Sequence, residues 1–267
     1  MTDQDTKPLP EKVTRQALVQ AVIDAVESQP WSLAMWEAGA AALDRVDEWS
    51  DVDMMIVVGD TYADECLACV ENALASLSPI ALRYELPQPT WHGHAQVFYR
   101  LRDASEYLVL DLVVIERSSP ADWFLERERH GRAVVYFDKA GLIGERHVSE
   151  DAWDDRLDRR LGTLRVTFPL FQSLTKKELR RGHDIEALSF YHGYTLRPLL
   201  ELLRMIYVPH QHDFHTRYVH QDLPAEVEDR LVDLFFVVDA ADIALKRDQA
   251  EEWFYEVLAA LEDEPDA

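Results

Sequence analysis

Trp49-Ser50-Asp51-Val52-Asp53-Met54-Met55-Ile56-Val57-Val58 sets two carboxylates at the mouth of an apolar run rich in β-formers. Side chains alternate between faces along a strand, so the run predicts Asp51 and Asp53 on one side. Carboxylates that close repel each other, and one is driven towards its protonated form unless a cation lies nearby. A second run, Tyr107-Leu108-Val109-Leu110-Asp111-Leu112-Val113-Val114-Ile115, carries one acid at its centre. A lone carboxylate among buried strand residues is costly unless it is paired or binds metal. If the two runs form neighbouring strands, Asp51, Asp53 and Asp111 converge, and such a set of oxygen donors suits Mg²⁺ and a nucleotide phosphate.

Upstream, the short apolar segment Trp31-Ser32-Leu33-Ala34-Met35 leads into Trp36-Glu37-Ala38-Gly39-Ala40-Ala41-Ala42-Leu43. A glycine after a strand, a short connection, and then Ser50-Asp51-Val52-Asp53 on the next strand resembles the DNA polymerase β-like nucleotidyltransferases. The resemblance spans roughly residues 31 to 116, with Asp111 where that superfamily has its third acid. It implies that Gly39, Ala40 and Ser50 line a triphosphate site. It also implies that Asp51, Asp53 and Asp111 hold two Mg²⁺ ions and form the catalytic set, with ATP as substrate. Ala40 departs from the pattern, which usually has Ser after the glycine; one phosphate hydrogen bond is lost, while backbone N–H groups can still line the turn. Asp111 is the first candidate for proton acceptor, with Glu186 and Asp184 behind it.

Around these motifs the periodicities predict a helix over 10–29 and strands near 31–36 and 52–58. A helix over 62–77 follows, with Thr61 or Asp60 as its cap, then a strand over 80–86. Residues 96–101 and 107–115 read as a hairpin pair, 121–128 as a short helix and 132–137 as a last strand. Strands that follow one another without helices between them exclude a doubly wound Rossmann fold and predict an α/β (α+β) mixed sheet with helices. From about residue 149 helical periodicity takes over, with helices expected near 150–174, 176–206, 224–240 and 241–262. The expected domains are therefore 1–140, catalytic, and 141–267, a helical bundle, with the boundary in the stretch Asp138 to Ser149. Glu262 to Ala267 reads as a frayed acidic tail.

The helical half adds to the resemblance. A helical domain after such a catalytic half is similar to the small-molecule branch, including the aminoglycoside adenylyltransferases. Arg181-Gly182-His183-Asp184-Ile185-Glu186-Ala187-Leu188 and Tyr194-Thr195-Leu196-Arg197-Pro198-Leu199-Leu200 look like the helices that face the cleft in those enzymes. Lys176, Lys177 and Arg181 are candidate nucleotide-binding cations, Arg197 is an equal one, and solvated helix-surface lysines are the plainer account of the first two.

Composition limits the partners. The 267 residues are 48% hydrophobic, enough for a sizeable core, and carry a formal net charge of −23 from 50 acidic and 27 basic side chains. That field repels nucleic acid and draws cationic small molecules, although acidity can equally serve solubility. Charges interrupt every apolar stretch, so no membrane span is expected, and the polar start Met1-Thr2-Asp3-Gln4-Asp5-Thr6-Lys7 is unlike a secretory signal. A cytoplasmic protein is the expectation. Cys66 and Cys69 read as two small residues on a helix, since no second cysteine pair completes a zinc site. His92, His94, His210, His212, His215 and His220 lack the spacing of a zinc motif and read as surface or loop histidines. Trp91, Trp123, Tyr191, Tyr194 and Tyr218 are candidates to stack on adenine or a sugar, or to fill a core. The expected activity is transfer of AMP from Mg-ATP to a hydroxyl of a small, aminoglycoside-like acceptor. The alternatives are AMP transfer to a protein side chain, as in antitoxin-type members, and a catalytically silent nucleotide-binding module.

Overall fold

Six strands form one mixed sheet in the order β3-β4-β5-β2-β1-β6. They are β1 (Ser32–Glu37), β2 (Val52–Val58), β3 (Ile80–Glu85), β4 (Ala95–Leu101), β5 (Val109–Glu116) and β6 (Val134–Asp138). This is a computed structural model of the chain, and it describes residues 13–120 and 122–263. The reading of the polar first seven residues falls outside them, as do the last four residues of the acidic tail. β2 and β5 run parallel, and every other neighbouring pair is antiparallel, including the expected β4–β5 hairpin.

Both central strands are apolar on both faces because both faces are covered. Val52, Met54, Ile56 and Val58 of β2 and Leu110, Leu112 and Val114 of β5 pack with helices α1 (Arg15–Val26) and α3 (Ala63–Leu77). The alternate residues Met55, Val57, Val113 and Ile115 pack with Trp36, Trp123 and Leu125 on the opposite face. Asp53 and Asp111 belong by parity to this second face, where its apolar row ends.

Local chemistry explains where the helices begin. Thr14 caps α1, its Oγ1 accepting from the Ala17 N–H at 3.2 Å. α3 has no side-chain cap, contrary to expectation. Asp60 instead accepts from the Ser118 N–H at 2.9 Å, and the Thr61 N–H donates to Glu116 at 3.0 Å, tying the end of β2 to the end of β5. The helix expected over 121–128 is only α4 (Arg127–His130), because Phe124 takes a left-handed backbone, φ +58°, that breaks the run. Between β1 and β2 lies the one-turn helix α2 (Gly39–Ala42).

The chain divides between Val148 and Ser149 into two compact units. The second is helical: α5 (Glu150–Arg181), α6 (Asp184–Phe190), α7 (Arg197–Tyr207), α8 (Val219–Asp222), α9 (Ala225–Phe235) and α10 (Ala240–Asp263). α5 passes through Pro169 and stops at Gly182, whose φ of +72° suits a glycine C-cap. The single helix expected over 176–206 is therefore split at Gly182. Its remainder runs through α6, a π-helical turn at Tyr191–Leu196, and α7. The core of this unit includes Leu164, Phe168, Leu199, Leu203, Leu231 and Phe254. Its buried Arg204 donates to the carbonyls of Gln211 and Arg217 and to Asp222 at 2.7 Å. Among the described residues, no helix is long and apolar enough to cross a membrane.

Candidate active site

The site is assembled at the end of the sheet where β2 and β5 begin. Their parallel register sets Asp53 opposite Asp111. Neighbouring strands lie about 4.8 Å apart and paired residues project to the same face, so the two carboxylates stand side by side. Asp51 lies one residue outside β2 and is exposed, so strand parity does not hold its side chain; its carbonyl accepts from Arg15 at 3.4 Å. The three aspartates are thus brought to one end of the sheet, with two in register and the third on the approach to β2.

Gly39 closes over Asp53. Its φ is +55°, and a Cβ added there would lie 1.8 Å from Asp53 Oδ2 and 2.5 Å from Asp53 Cγ. Only glycine leaves room for that carboxylate. The Ala38 N–H donates to the Asp53 carbonyl at 2.9 Å, which anchors the turn to β2. Ala40 is buried within α2, whose first-turn N–H groups have no acceptors inside the helix. The Ser50 hydroxyl donates to Asp47 at 2.7 Å and accepts the Asp47 N–H at 2.9 Å. The bond from the Ser50 hydroxyl, and then that from the Trp49 N–H, hold the Asp47 carboxyl below its ordinary pKa.

Four residues that the sequence did not mark complete the surroundings. Gln96, on β4, donates to both oxygens of Asp111 at 2.7 and 2.9 Å. Its own carbonyl must then accept, so His92 Nε2 donates to it at 2.9 Å, and His92 Nδ1 accepts the His94 N–H at 3.2 Å. A chain of donors therefore points inward at Asp111. On the other side of the turn, buried Glu37 accepts from Arg15 and from the Tyr136 hydroxyl, joining α1, β1 and β6 two residues before Gly39. Burial first, and then the bond to Glu37, raises the Tyr136 pKa. A polar residue inside an apolar strand was the available signal for Gln96 and Glu37, but the partner of each depends on strand order.

An exposed aromatic pair flanks the acids. Trp49 and Tyr107, just before β2 and β5, meet edge to face with ring centroids 5.0 Å apart. Of the aromatics named from the sequence, Trp123 and Tyr191 are buried in cores, Trp91 is 85% exposed, Tyr194 is partly exposed and Tyr218 takes a left-handed backbone.

Lys176, Lys177 and Arg181 lie near the end of α5 in the helical unit. Each is close to an acid: Lys176 to Glu251 at 3.6 Å, Lys177 to Glu178 at 3.8 Å and Arg181 to Glu178 at 2.9 Å. Asp184 and Glu186 are exposed on α6. The same unit has a cavity of about 810 Å³ lined by Arg156, Arg159, Arg160, Arg197, Tyr194 and His215. Glu201 binds Arg160 there and Asp213 meets Arg156, so the lining is basic on balance in a very acidic chain. The bond between Arg197 and His215, 2.7 Å, requires His215 to accept as neutral imidazole, and burial lowers the His215 pKa accordingly.

No model of a protein family matches the chain, and no curated protein matches it. Solved structures do resemble it. The aminoglycoside 6-adenyltransferase from Bacillus subtilis is 12% identical, with 93% of this chain and 90% of that one covered, at a TM-score of 0.34. The spectinomycin adenyltransferase AAD(9) from Enterococcus faecialis, solved with ATP and spectinomycin, is 10% identical, with 91% and 100% covered, at a TM-score of 0.37.

Proposed function

We propose that this chain is a nucleotidyltransferase that moves AMP from Mg-ATP to a hydroxyl of a small acceptor. The observation that carries the reading is the register pair Asp53–Asp111 with a glycine turn packed so closely on Asp53 that any added Cβ would displace its carboxylate. Two carboxylates side by side, with Asp51 on the approach, offer the hard oxygen donors that Mg²⁺ takes, so the residues present fit that ion. When bound, Mg²⁺ would supply the positive charge that acidifies the acceptor hydroxyl and offsets the charge gathering on pyrophosphate. Asp51, Asp53 and Asp111 would hold it.

In the transfer, the acceptor oxygen forms a bond to the α-phosphorus, the bond from that phosphorus to the β-phosphate oxygen breaks, and pyrophosphate leaves. The acceptor's proton goes to Asp111. Gln96 donates to both Asp111 oxygens and so fixes the orientation of the carboxylate that takes the proton. Gly39 and Ala40 line the phosphates through backbone N–H groups, and the Trp49–Tyr107 pair offers an apolar surface to a ring of the substrate. Lys176, Lys177 and Arg181 remain proposed phosphate ligands. The Lys176–Glu251 pair is partly exposed and worth about 0–1 kcal/mol, so its exchange for phosphate costs little. The net charge of −23 favours a cationic acceptor such as an aminoglycoside.

The test is incubation with Mg²⁺, labelled ATP and a panel of aminoglycosides, read by mass and by pyrophosphate release. Gain of one AMP on an acceptor, abolished by Asp53→Asn in a protein of unchanged circular dichroism, supports the reading. Labelling of a co-purified protein would redirect it to AMP transfer onto protein. Nucleotide binding with no pyrophosphate from any acceptor would leave a silent nucleotide-binding module.

A further inference from the structure

Asp122, Glu126 and His130 each offer a ligand atom, and these atoms all lie within 4.8 Å of one another. Their spacing is Asp-x₃-Glu-x₃-His, in the segment that follows β5 and ends in α4. Asp51, Asp53 and Asp111 are not such a group, and among the described residues this trio is the one that is.

Three details distinguish the trio from chance proximity. First, His130 Nε2 is buried and makes no direct hydrogen bond, its nearest acid being Asp122. It faces Asp122 Oδ2 at 3.6 Å, beyond hydrogen-bond range. Second, the other Asp122 oxygen is already committed, accepting the Phe124 N–H at 2.9 Å, so Oδ2 is the one left to face inward. Third, the three backbones are held separately. His94 Nε2 donates to the Asp122 carbonyl at 2.8 Å, Glu126 bridges to Arg146, and the His130 N–H donates to the Glu126 carbonyl at 2.7 Å. The left-handed backbone of Phe124 turns the segment so that residue 122 meets residues 126 and 130.

The ligand types, with one separation, point to the ion. Ligands about 2.0–2.1 Å from a tetrahedral centre stand about 3.4 Å apart, close to the separation of the His130 nitrogen and the Asp122 oxygen. An imidazole with two carboxylates suits Zn²⁺, whereas Mg²⁺ takes oxygen alone. We propose that Asp122, Glu126 and His130 form a zinc site, separate from the aspartates at the start of β2 and β5, with three protein ligands and a fourth position for water. The site clamps the segment that buries Trp123 and Leu125 against the sheet face carrying Asp53 and Asp111.

The experiment uses the untagged chain, stripped with a chelator and desalted. Zn²⁺ is titrated by calorimetry in excess Mg²⁺, and Co²⁺ is substituted to give visible absorption bands. One Zn²⁺ should bind per chain. Because losing even an outer-shell partner costs about 10–100-fold in affinity, Glu126→Gln and His130→Ala should each weaken binding by at least about 100-fold. Glu126→Gln is nearly isosteric and keeps the test valid if His130→Ala fails to fold. Asp53→Asn should bind Zn²⁺ as the parent does, whether or not the chain transfers nucleotides. Absence of saturable uptake by the parent, or parent-like affinity in Glu126→Gln, would overturn the site.

Discussion

Gly39→Ala puts the candidate active site to its most direct test. Two costs are built into it. An L-residue at φ +55° is strained by about 1–2 kcal/mol. The new Cβ also falls 1.8 Å from Asp53 Oδ2, about 1.6 Å short of ordinary van der Waals contact, so the carboxylate must swing aside. Gly141→Ala separates the two effects, since Gly141 has φ +63° with nothing within 4 Å of an added Cβ. Urea unfolding should show a loss of about 1–2 kcal/mol in Gly141→Ala and at least that in Gly39→Ala. Pyrophosphate release should be nearly unchanged in Gly141→Ala and reduced about 100-fold or more in Gly39→Ala, because misplacing a reacting group by about 1 Å costs that much. The reasoning fails if Gly39→Ala turns over within about threefold of the parent, a difference of under 1 kcal/mol in the barrier.

Three further outcomes are expected. Gln96→Glu replaces a donor to Asp111 with a second carboxylate; like charge disfavours ionisation, so the acidic limb of the pH–rate profile should move to higher pH. Arg204→Met strips the buried Asp222 of its cation and should cost about 3–5 kcal/mol in chemical denaturation, with much of that recovered when Asp222 is also replaced by leucine. His94 has its pKa lowered, chiefly by burial, so the unfolded chain binds the proton more readily. Its contribution to stability is complete above the ordinary histidine pKa of about 6.5 and is lost as pH falls through the lowered value. His94→Gln should therefore flatten the decline in unfolding free energy between about pH 7 and pH 5.

Much of the architecture was legible along the chain because strands and helices announce themselves through local periodicity. Val52 to Val58 and Val109 to Glu116 are apolar on both faces, as central strands must be, and the run of strands without intervening helices excluded a Rossmann arrangement. In two places where local reading went astray, a single backbone torsion was responsible. Gly182 ends α5 inside what reads as an unbroken amphipathic pattern, and Phe124 leaves only one turn of the helix expected over 121–128. A left-handed residue interrupts a helix without changing the apolar spacing around it.

The chain's own order of residues determined that carboxylates would stand at the mouths of two apolar strands, and that a glycine would precede the first of them. Tertiary structure alone decided that β2 and β5 are adjacent and parallel with Asp53 level with Asp111, that the Gly39 turn presses on the first of these acids, and that Gln96 holds the second. It also drew together Asp122, Glu126 and His130, which one-dimensional spacing left as an unremarkable acid, acid and histidine. The physical reason is common to all of these. Side-chain periodicity is set by the torsions of neighbouring residues, whereas register between strands is set by which distant apolar faces bury each other best, and that is settled only when the whole sheet closes on its core.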